Sequence, residues 1–246
     1  IVHKQLTDYL NEHDLFDEHQ SGFRTGHNVT TALLKVNEDI REASDNGKLT
    51  VLTLLDFSKA FDSVDIDLLL YKLKNLFLSE NVTQWFSSYL RERRQCVVTN
   101  KSISSWKDCI AGVPQGSVLG PLLFTTYIND ICGCMKHSKH HLFADDMQIY
   151  IHTEKATLND AITKINEDLD SLLTWTRKYG LKLNPRKSQV IIMGHKRLLS
   201  TIDLNTVSSV ILDDFQIPYS DTVKNLGIHM DNNLNWNTQI IQTCKK

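Results

Sequence analysis

The sequence predicts an α+β protein, on three observations. Residues 49–55 form an unbroken apolar run rich in branched side chains, the pattern of a strand buried on both faces. Leu142 and Phe143 before Asp145-Asp146, with Met147, Ile149, Tyr150 and Ile151 after, read as a hairpin with two acids at its tip. Two stripes at helical spacing, Val29 to Ala43 and Leu158 to Trp175, supply amphipathic helices to cover such strands.

Each element has a local cause. Residues 4–16 carry Leu6, Tyr9 and Leu10 on one helical side. Asn28 can cap the next helix, whose stripe is Val29, Leu33, Val36, Ile40 and Ala43, and Asn46-Gly47 ends it. The apolar run from Leu49 stops at Asp56, and Asp65 can cap a helix through Leu69 and Leu73. Residues 82–94 read as a helix with Val82, Trp85, Phe86, Tyr89 and Leu90 inward. Residues 96–98 and 106–110 suggest a hairpin. The dense Gly and Pro of Gly112 to Pro121 fix an irregular loop, and Pro121 suits the first turn of a helix reaching Ile131. The stripe Leu158, Ile162, Ile165, Leu169, Leu172, Trp175 closes at Tyr179-Gly180, and its interior reads as packing alone. A turn at Pro185 leads to a strand at residues 190–194, residues 195–222 read as polar and irregular, and Lys224 to Asp231 form a last hairpin.

Composition bounds the function. The 246 residues suffice for one large domain or two small ones, and 41% hydrophobic with 23% charged residues predicts a folded core. Five Cys without a repeating framework fit reduced thiols in an intracellular protein. No apolar run matches a membrane span, so no membrane partner is expected. The net charge of −2 lends no support to nucleic-acid binding, although Arg91, Arg93 and Arg94, and then Arg177 to Lys187, form local basic clusters. The chain starts with Ile, which is expected of a piece of a longer protein. Cys132 and Cys134 with His137, His140 and His141 match no standard zinc spacing.

The chemistry lies in the acids. Two carboxylate charges about 4 Å apart repel by roughly 4 kcal/mol at an effective dielectric near 20, and a divalent cation is the usual compensation. An Asp-Asp pair alone also fits a solvated turn. Asp56, at the C-terminal end of a buried strand, occupies a common place for chemistry. The loop Gln20-Ser21-Gly22-Phe23-Arg24-Thr25-Gly26 could bring backbone and guanidinium to a phosphate, and equally reads as an ordinary surface loop. A Gly-rich loop entering a helix offers N–H groups to an anion.

Together these stretches resemble the reverse transcriptase domain of non-LTR retrotransposons, the long interspersed element type. The motifs are Leu55 to Asp62, Gly112 to Pro121 and Phe143 to Asp146, supported by Gln20 to Gly26, Gly180 to Ser188 and Leu226-Gly227, in the family's order over residues 1 to about 240. The resemblance implies a right-hand polymerase palm, an antiparallel sheet backed by helices, with fingers and with the thumb largely absent. It implies palm over 50–65 and 117–232, fingers over 1–49 and 66–116, and the start of a connection to the thumb at 233–246. Missing polymerase segments or an endonuclease domain are expected in a longer polyprotein.

The implied activity is RNA-directed DNA synthesis by two-metal nucleotidyl transfer. Its partners would be an RNA template, a DNA primer and dNTPs. Its cofactor would be two Mg²⁺ ions, or Mn²⁺ in their place. By resemblance, Asp56, Asp145 and Asp146 are metal ligands and catalytic, with Asp146 also able to act from one step back. Arg24, Phe57, Phe61, Gln115 and Gly116 would bind the nucleotide: Arg24 at the triphosphate, the Phe61 ring under the sugar, Gln115 and Gly116 at base and sugar. Lys187 would protonate the leaving pyrophosphate, and Leu226-Gly227 would grip the primer. Phe61 equally reads as a core ring and Lys187 as a solvated amine. Two alternatives remain at this point: a truncated, catalytically silent nucleic-acid-binding remnant, and an RNA-dependent RNA polymerase, against which an aromatic at 61 argues. Action in the nucleus follows from the family only.

Overall fold

The computed structural model describes residues 1–76 and 78–245; Phe77 and Lys246, inside the expected spans 66–116 and 233–246, lie outside the described residues. In chain order, α1 (Val2–Glu12) and α2 (Val29–Asp45) precede β1 (Leu49–Leu55). Helices α3 (Ile66–Asn75) and α4 (Glu80–Leu90) lead to the short strands β2 (Arg94–Gln95) and β3 (Lys107–Asp108). Then come α5 (Gly120–Ile128), β4 (Lys139–Phe143), β5 (Asp146–Thr153) and the long α6 (Leu158–Lys178). Strand β6 (Gln189–Met193) and α7 (Lys196–Leu199) precede two hairpins, β7 (Val210–Leu212) with β8 (Phe215–Ile217) and β9 (Thr222–Asn225) with β10 (Ile228–Asp231). Helix α8 (Asn237–Cys244) is last. No described helix is long and apolar enough to cross a membrane.

The chain divides into two units, residues 1–17, 59–130 and 177–181 forming one and 18–58, 131–176 and 182–246 the other. The larger unit is built on an antiparallel sheet of order β4-β5-β1-β6. All seven residues of β1 are buried, Thr50 and Thr53 among them, as expected of a strand covered on both faces. Leu33, Val36 and Ile40 of α2 pack with Leu52 and Leu54 of β1, Tyr150, Ile191 and Met193, and with Val223 and Met230 of the last hairpin. Asn28 caps α2 reciprocally with Thr31, which fixes where that helix starts. Fully burying each such aliphatic side chain is worth about 1.5–3 kcal/mol.

Helix α6 departs from the expectation of packing alone. Asp168, in the middle of its apolar stripe, is buried and accepts backbone N–H bonds from Lys136 (2.7 Å), His137 (3.2 Å) and Ser138 (2.7 Å). It anchors the turn that starts β4. Cys132, Cys134, His137 and His141 form no grouping close enough to hold an ion among the described residues. His137 instead contacts Glu167 at 2.9 Å.

In the smaller unit Ile66, Leu69, Leu70 and Leu73 of α3 and most of α5 are buried, and so is one charged group. The Lys72 amine donates to the Tyr127 carbonyl (2.6 Å), pairs with Asp130 and lies 3.9 Å above the Tyr179 ring. Burial holds its pKa below the ordinary lysine value, against the pull of Asp130. The Tyr127 hydroxyl donates to the Tyr179 carbonyl at 2.6 Å. Burial, first among several causes, pushes that hydroxyl up to about 12.

Several sequence expectations are corrected in this unit. Helix α1 ends at Glu12 rather than 16, because Asp14 takes a positive φ of 49°. Val82 and Trp85 of α4 are exposed, while Phe86 and Leu90 alone face the core. The hairpin near residue 96 forms strands only at 94–95 with 107–108, with a further isolated bridge between Val98 and Ile103, and Val97, Val98 and Ile110 stand in solvent. Helix α5 stops at Ile128 and a separate 3₁₀ turn follows at Ile131–Cys134.

Candidate active site

The larger unit brings the three predicted acids together. Strands β1 and β5 pair antiparallel with Leu55 opposite Met147, so one further step sets Asp56 against Asp146. Asp145 lies in the turn between β4 and β5, and Asp146 is the first residue of β5. Burial raises the Asp145 carboxyl above its ordinary value, and the charge of Asp56 adds to that. Asp146 is pushed up to about 6 by burial, then by Asp145, then by Asp56. Its side chain remains exposed to solvent, so screening discounts the energetic weight of that shift.

The segment after α6 frames Asp56. The Asp56 N–H donates to Ser188 Oγ (3.3 Å), the Asn184 N–H donates to the Asp56 carbonyl (2.7 Å), and Ser188 Oγ donates to the Asn184 carbonyl (2.9 Å). Phe57 is buried, and its backbone bridges to Leu183. Lys187 Nζ stands 4.0 Å from Asp56 Oδ2 with 68% of its side chain exposed. That separation allows charge attraction without a hydrogen bond. Asp56 Oδ2 is buried and has no hydrogen-bond partner.

A second segment braces the acidic turn. Gln20 bridges Leu142 in parallel register, the Ser21 N–H donates to the Leu142 carbonyl (2.8 Å), and the Leu142 N–H donates to His19 (2.9 Å). A Cβ on Gly22 would fall 2.2 Å from the Ala144 nitrogen, so only glycine fits there. The Arg24 guanidinium donates to the Gln20 carbonyl at 3.2 Å. Leu226 and Gly227, both at positive φ (45° and 85°), form the two-residue turn of the β9–β10 hairpin. Asn225 beside them donates its amide to Gln148 Oε1 at 2.8 Å, and both side chains are buried.

The smaller unit gathers Phe61, Gln115 and Gly116. Phe61 stacks on Phe124 with ring centroids 4.2 Å apart. The Gly112 N–H donates to the Val64 carbonyl and the Val113 N–H to the Phe61 carbonyl, which lays the Gly-rich loop along residues 61–64. A Cβ on Gly112, at φ +84°, would lie 2.9 Å from Asp62 Cα. Gln115 Nε2 donates to Asp62 Oδ1 at 2.7 Å, and Gln115 and Gly116 are exposed. Ser117 Oγ ties the loop to α5, donating to the Pro114 carbonyl (2.7 Å) and accepting from the Gly120 N–H (2.9 Å).

The family model for reverse transcriptase (RNA-dependent DNA polymerase) matches residues 1–230. The chain belongs to the reverse transcriptase family. It is 30% identical to a probable RNA-directed DNA polymerase from transposon BS of Drosophila melanogaster, over 100% of this chain and 27% of that protein. It is 29% identical to the RNA-directed DNA polymerase from mobile element jockey of the same fly, over 90% of this chain and 24% of that one. The chain thus spans about a quarter of the length of these non-LTR retrotransposon relatives. Among solved structures, an apo telomerase from Candida tropicalis truncated from its C-terminal domain superposes with a TM-score of 0.63 at 14% identity, covering 96% of this chain and 43% of that one. This is a likeness of fold, and the β4-β5-β1-β6 sheet with its helices is the α+β palm of a right-hand polymerase.

Sequence reasoning singled out the acids but missed the residues whose bonds frame them, Gln20, Asn184 and Ser188, and, in the smaller unit, Asp62, which accepts from Gln115. Gln20, Asn184 and Ser188 each stood inside a motif already quoted, and Asp62 closed another. For Gln20, Ser188 and Asp62 the available signal was a polar side chain within a motif whose chemistry gave it no role, whereas Asn184 acts through its backbone.

Proposed function

We propose that this chain catalyses RNA-directed DNA synthesis, using an RNA template, a DNA primer and dNTPs, with Asp56, Asp145 and Asp146 as the centre of a divalent-cation site. What supports this most is the meeting of three acids with an oxygen of Asp56 buried and without a hydrogen-bond partner. A buried polar oxygen without a partner calls for a ligand. The donors are all hard carboxylate oxygens, the set that Mg²⁺ takes. Bound Mg²⁺ would supply the Lewis acidity that activates a primer 3′-hydroxyl and offsets charge on a leaving pyrophosphate.

The chain's own residues would do the rest. The forked guanidinium of Arg24 suits a triphosphate. Phe61 would crowd a 2′-hydroxyl and so favour deoxynucleotides, with Gln115 and Gly116 lining base and sugar. Phe57, being buried, would support the nucleotide site through its backbone. Lys187 would deliver a proton to the pyrophosphate, and its place next to Asp56 favours that role. Leu226-Gly227 would hold the primer end. On this reading 50–65 and 117–232 serve as palm and 1–49 and 66–116 as fingers, and the site of action is nuclear DNA.

The test is primer extension on an RNA template with the wild-type chain and Asp145→Asn, with and without Mg²⁺. Extension by wild type that needs Mg²⁺ and is lost in Asp145→Asn is the expected result. Equal extension by both proteins would remove the acids from the chemistry.

A further inference from the structure

Gln20 makes contacts that packing alone does not explain. Its side chain is only 1% exposed. Its Oε1 accepts from the Gly22 N–H at 2.7 Å and from the Ala144 N–H at 3.1 Å. Its Nε2 is buried and has no hydrogen-bond partner. Turning the carboxamide over would set Nε2 against two N–H donors, so the orientation is fixed by its neighbours.

The contacted turn needs support. Ala144, the residue before Asp145, takes φ +56°, a left-handed conformation that residues with a Cβ avoid. Such a conformation persists only where its surroundings enforce it. The hairpin enforces it from one side through the Phe143–Asp146 pairing. Residues 19–22 enforce it from the other, through the Leu142 bonds, the Ser21–His141 side-chain contact at 3.0 Å and the close approach of Gly22. Within that segment, the Ala144 N–H is met by the Gln20 side chain. The Gln20 backbone carbonyl meanwhile accepts from Arg24.

We propose that Gln20 is a positioning residue, its side-chain carbonyl holding the Ala144 amide so that the turn aims Asp145 and Asp146, and its backbone carbonyl tying Arg24 to the same frame. One residue thus links the candidate triphosphate contact to the acids. This rests on the polymerase reading above for its catalytic consequence, but not for its structural one.

The test uses the full chain and two variants, Gln20→Met, which has similar length and no acceptor, and the milder Gln20→Asn, which is one methylene short. Thr50→Val is the control; it removes a partly buried bond to His152 (2.8 Å) at the far end of the same sheet. Hydrogen exchange of the Ala144 amide, without substrate or metal, is expected to quicken about tenfold or more in both Gln20 variants, as for a lost hydrogen bond of ordinary strength. It is expected to stay within about twofold of wild type in Thr50→Val. Primer extension by Gln20→Met is expected to lose roughly tenfold to a hundredfold in kcat, as for a misplaced reacting group, with KM for primer–template unchanged. Unchanged exchange in the Gln20 variants, or equal quickening in Thr50→Val, overturns the bond. Wild-type kcat in Gln20→Met overturns the catalytic role. Quickened exchange in a chain whose wild type extends no primer overturns the polymerase reading and leaves the structural assignment standing.

Discussion

Removing one charge from the acid cluster should stabilise the metal-free protein, and the effect should depend on pH with a definite sign. Burial and two neighbouring carboxylates push Asp146 from 3.8 up to about 6. A carboxyl raised in the folded state binds its proton more tightly there than in the unfolded chain. Stability is therefore greatest below about pH 4 and falls as pH rises through about 6. The full shift corresponds to about 3 kcal/mol at 1.36 kcal/mol per unit. The side chain is exposed, so screening cuts this to about 1 kcal/mol. Asp146→Asn should then melt about 2–4 °C above wild type at pH 7 in EDTA. The gap should close by pH 4, where both proteins are neutral at this position. Adding Mg²⁺ or Mn²⁺ should narrow the gap at pH 7, because the cation offsets the repulsion in wild type. Thermal melts at pH 4 and pH 7, with EDTA and with each cation, make the measurement. A variant less stable than wild type at pH 7 in EDTA, or a gap independent of pH, would falsify the claim that these carboxylates repel one another unassisted.

Three further outcomes can be checked. Phe61→Ala should raise ribonucleotide incorporation relative to deoxynucleotide by about tenfold or more, since the crowding ring is gone; competition between the two nucleotides reads this, and an unchanged preference ends the role of Phe61 as a gate. Gly112→Ala should cost about 1–3 kcal/mol, from φ +84° and a Cβ 2.9 Å from the Asp62 backbone, whereas Gly133→Ala, with nothing within 4 Å, should stay within about 0.5 kcal/mol in denaturant unfolding. Asp168→Ala should lose about 3 kcal/mol, because three N–H groups lose their buried acceptor, and a loss below about 1 kcal/mol would make the carboxylate incidental.

Much of this was legible in the sequence wherever a period carried it. The stripes of α2 and α6, the buried strand β1 and the acidic hairpin all appear where their spacing put them. Period failed where a face had no partner. Val82 and Trp85 continue the apolar side of α4 and yet stand in solvent, because spacing states which residues share a face and not whether anything covers it. Turn chemistry failed once. The β7–β8 hairpin lies in the stretch 195–222 that read as irregular, because its turn is Asp213-Asp214, both at positive φ (51° and 60°), in place of the Asn-Gly signal.

The site divides the same way. Carboxylates declare themselves, because adjacent charges in apolar company are costly and therefore rare. The groups that hold them are less visible, since they bond to backbone. Gln20 lies 124 residues from the Ala144 amide it holds, and Ser188 lies 132 residues from the Asp56 amide. A backbone N–H has the same chemistry at every residue except proline, so no side-chain type at position 144 marks it as a partner. Asp168 makes the point within one helix: its place in an apolar stripe is an error of patterning unless donors await it, and three backbone N–H groups do. A polar residue inside an apolar stripe, or a carboxamide inside a motif that assigns it no chemistry, is therefore the sequence's trace of a backbone amide that must be held elsewhere in the fold. Ser188 and Gln20 carry that trace, each bonding through its side chain to a main-chain amide of or beside the acids, whereas Asn184 meets Asp56 through its own main chain and leaves none.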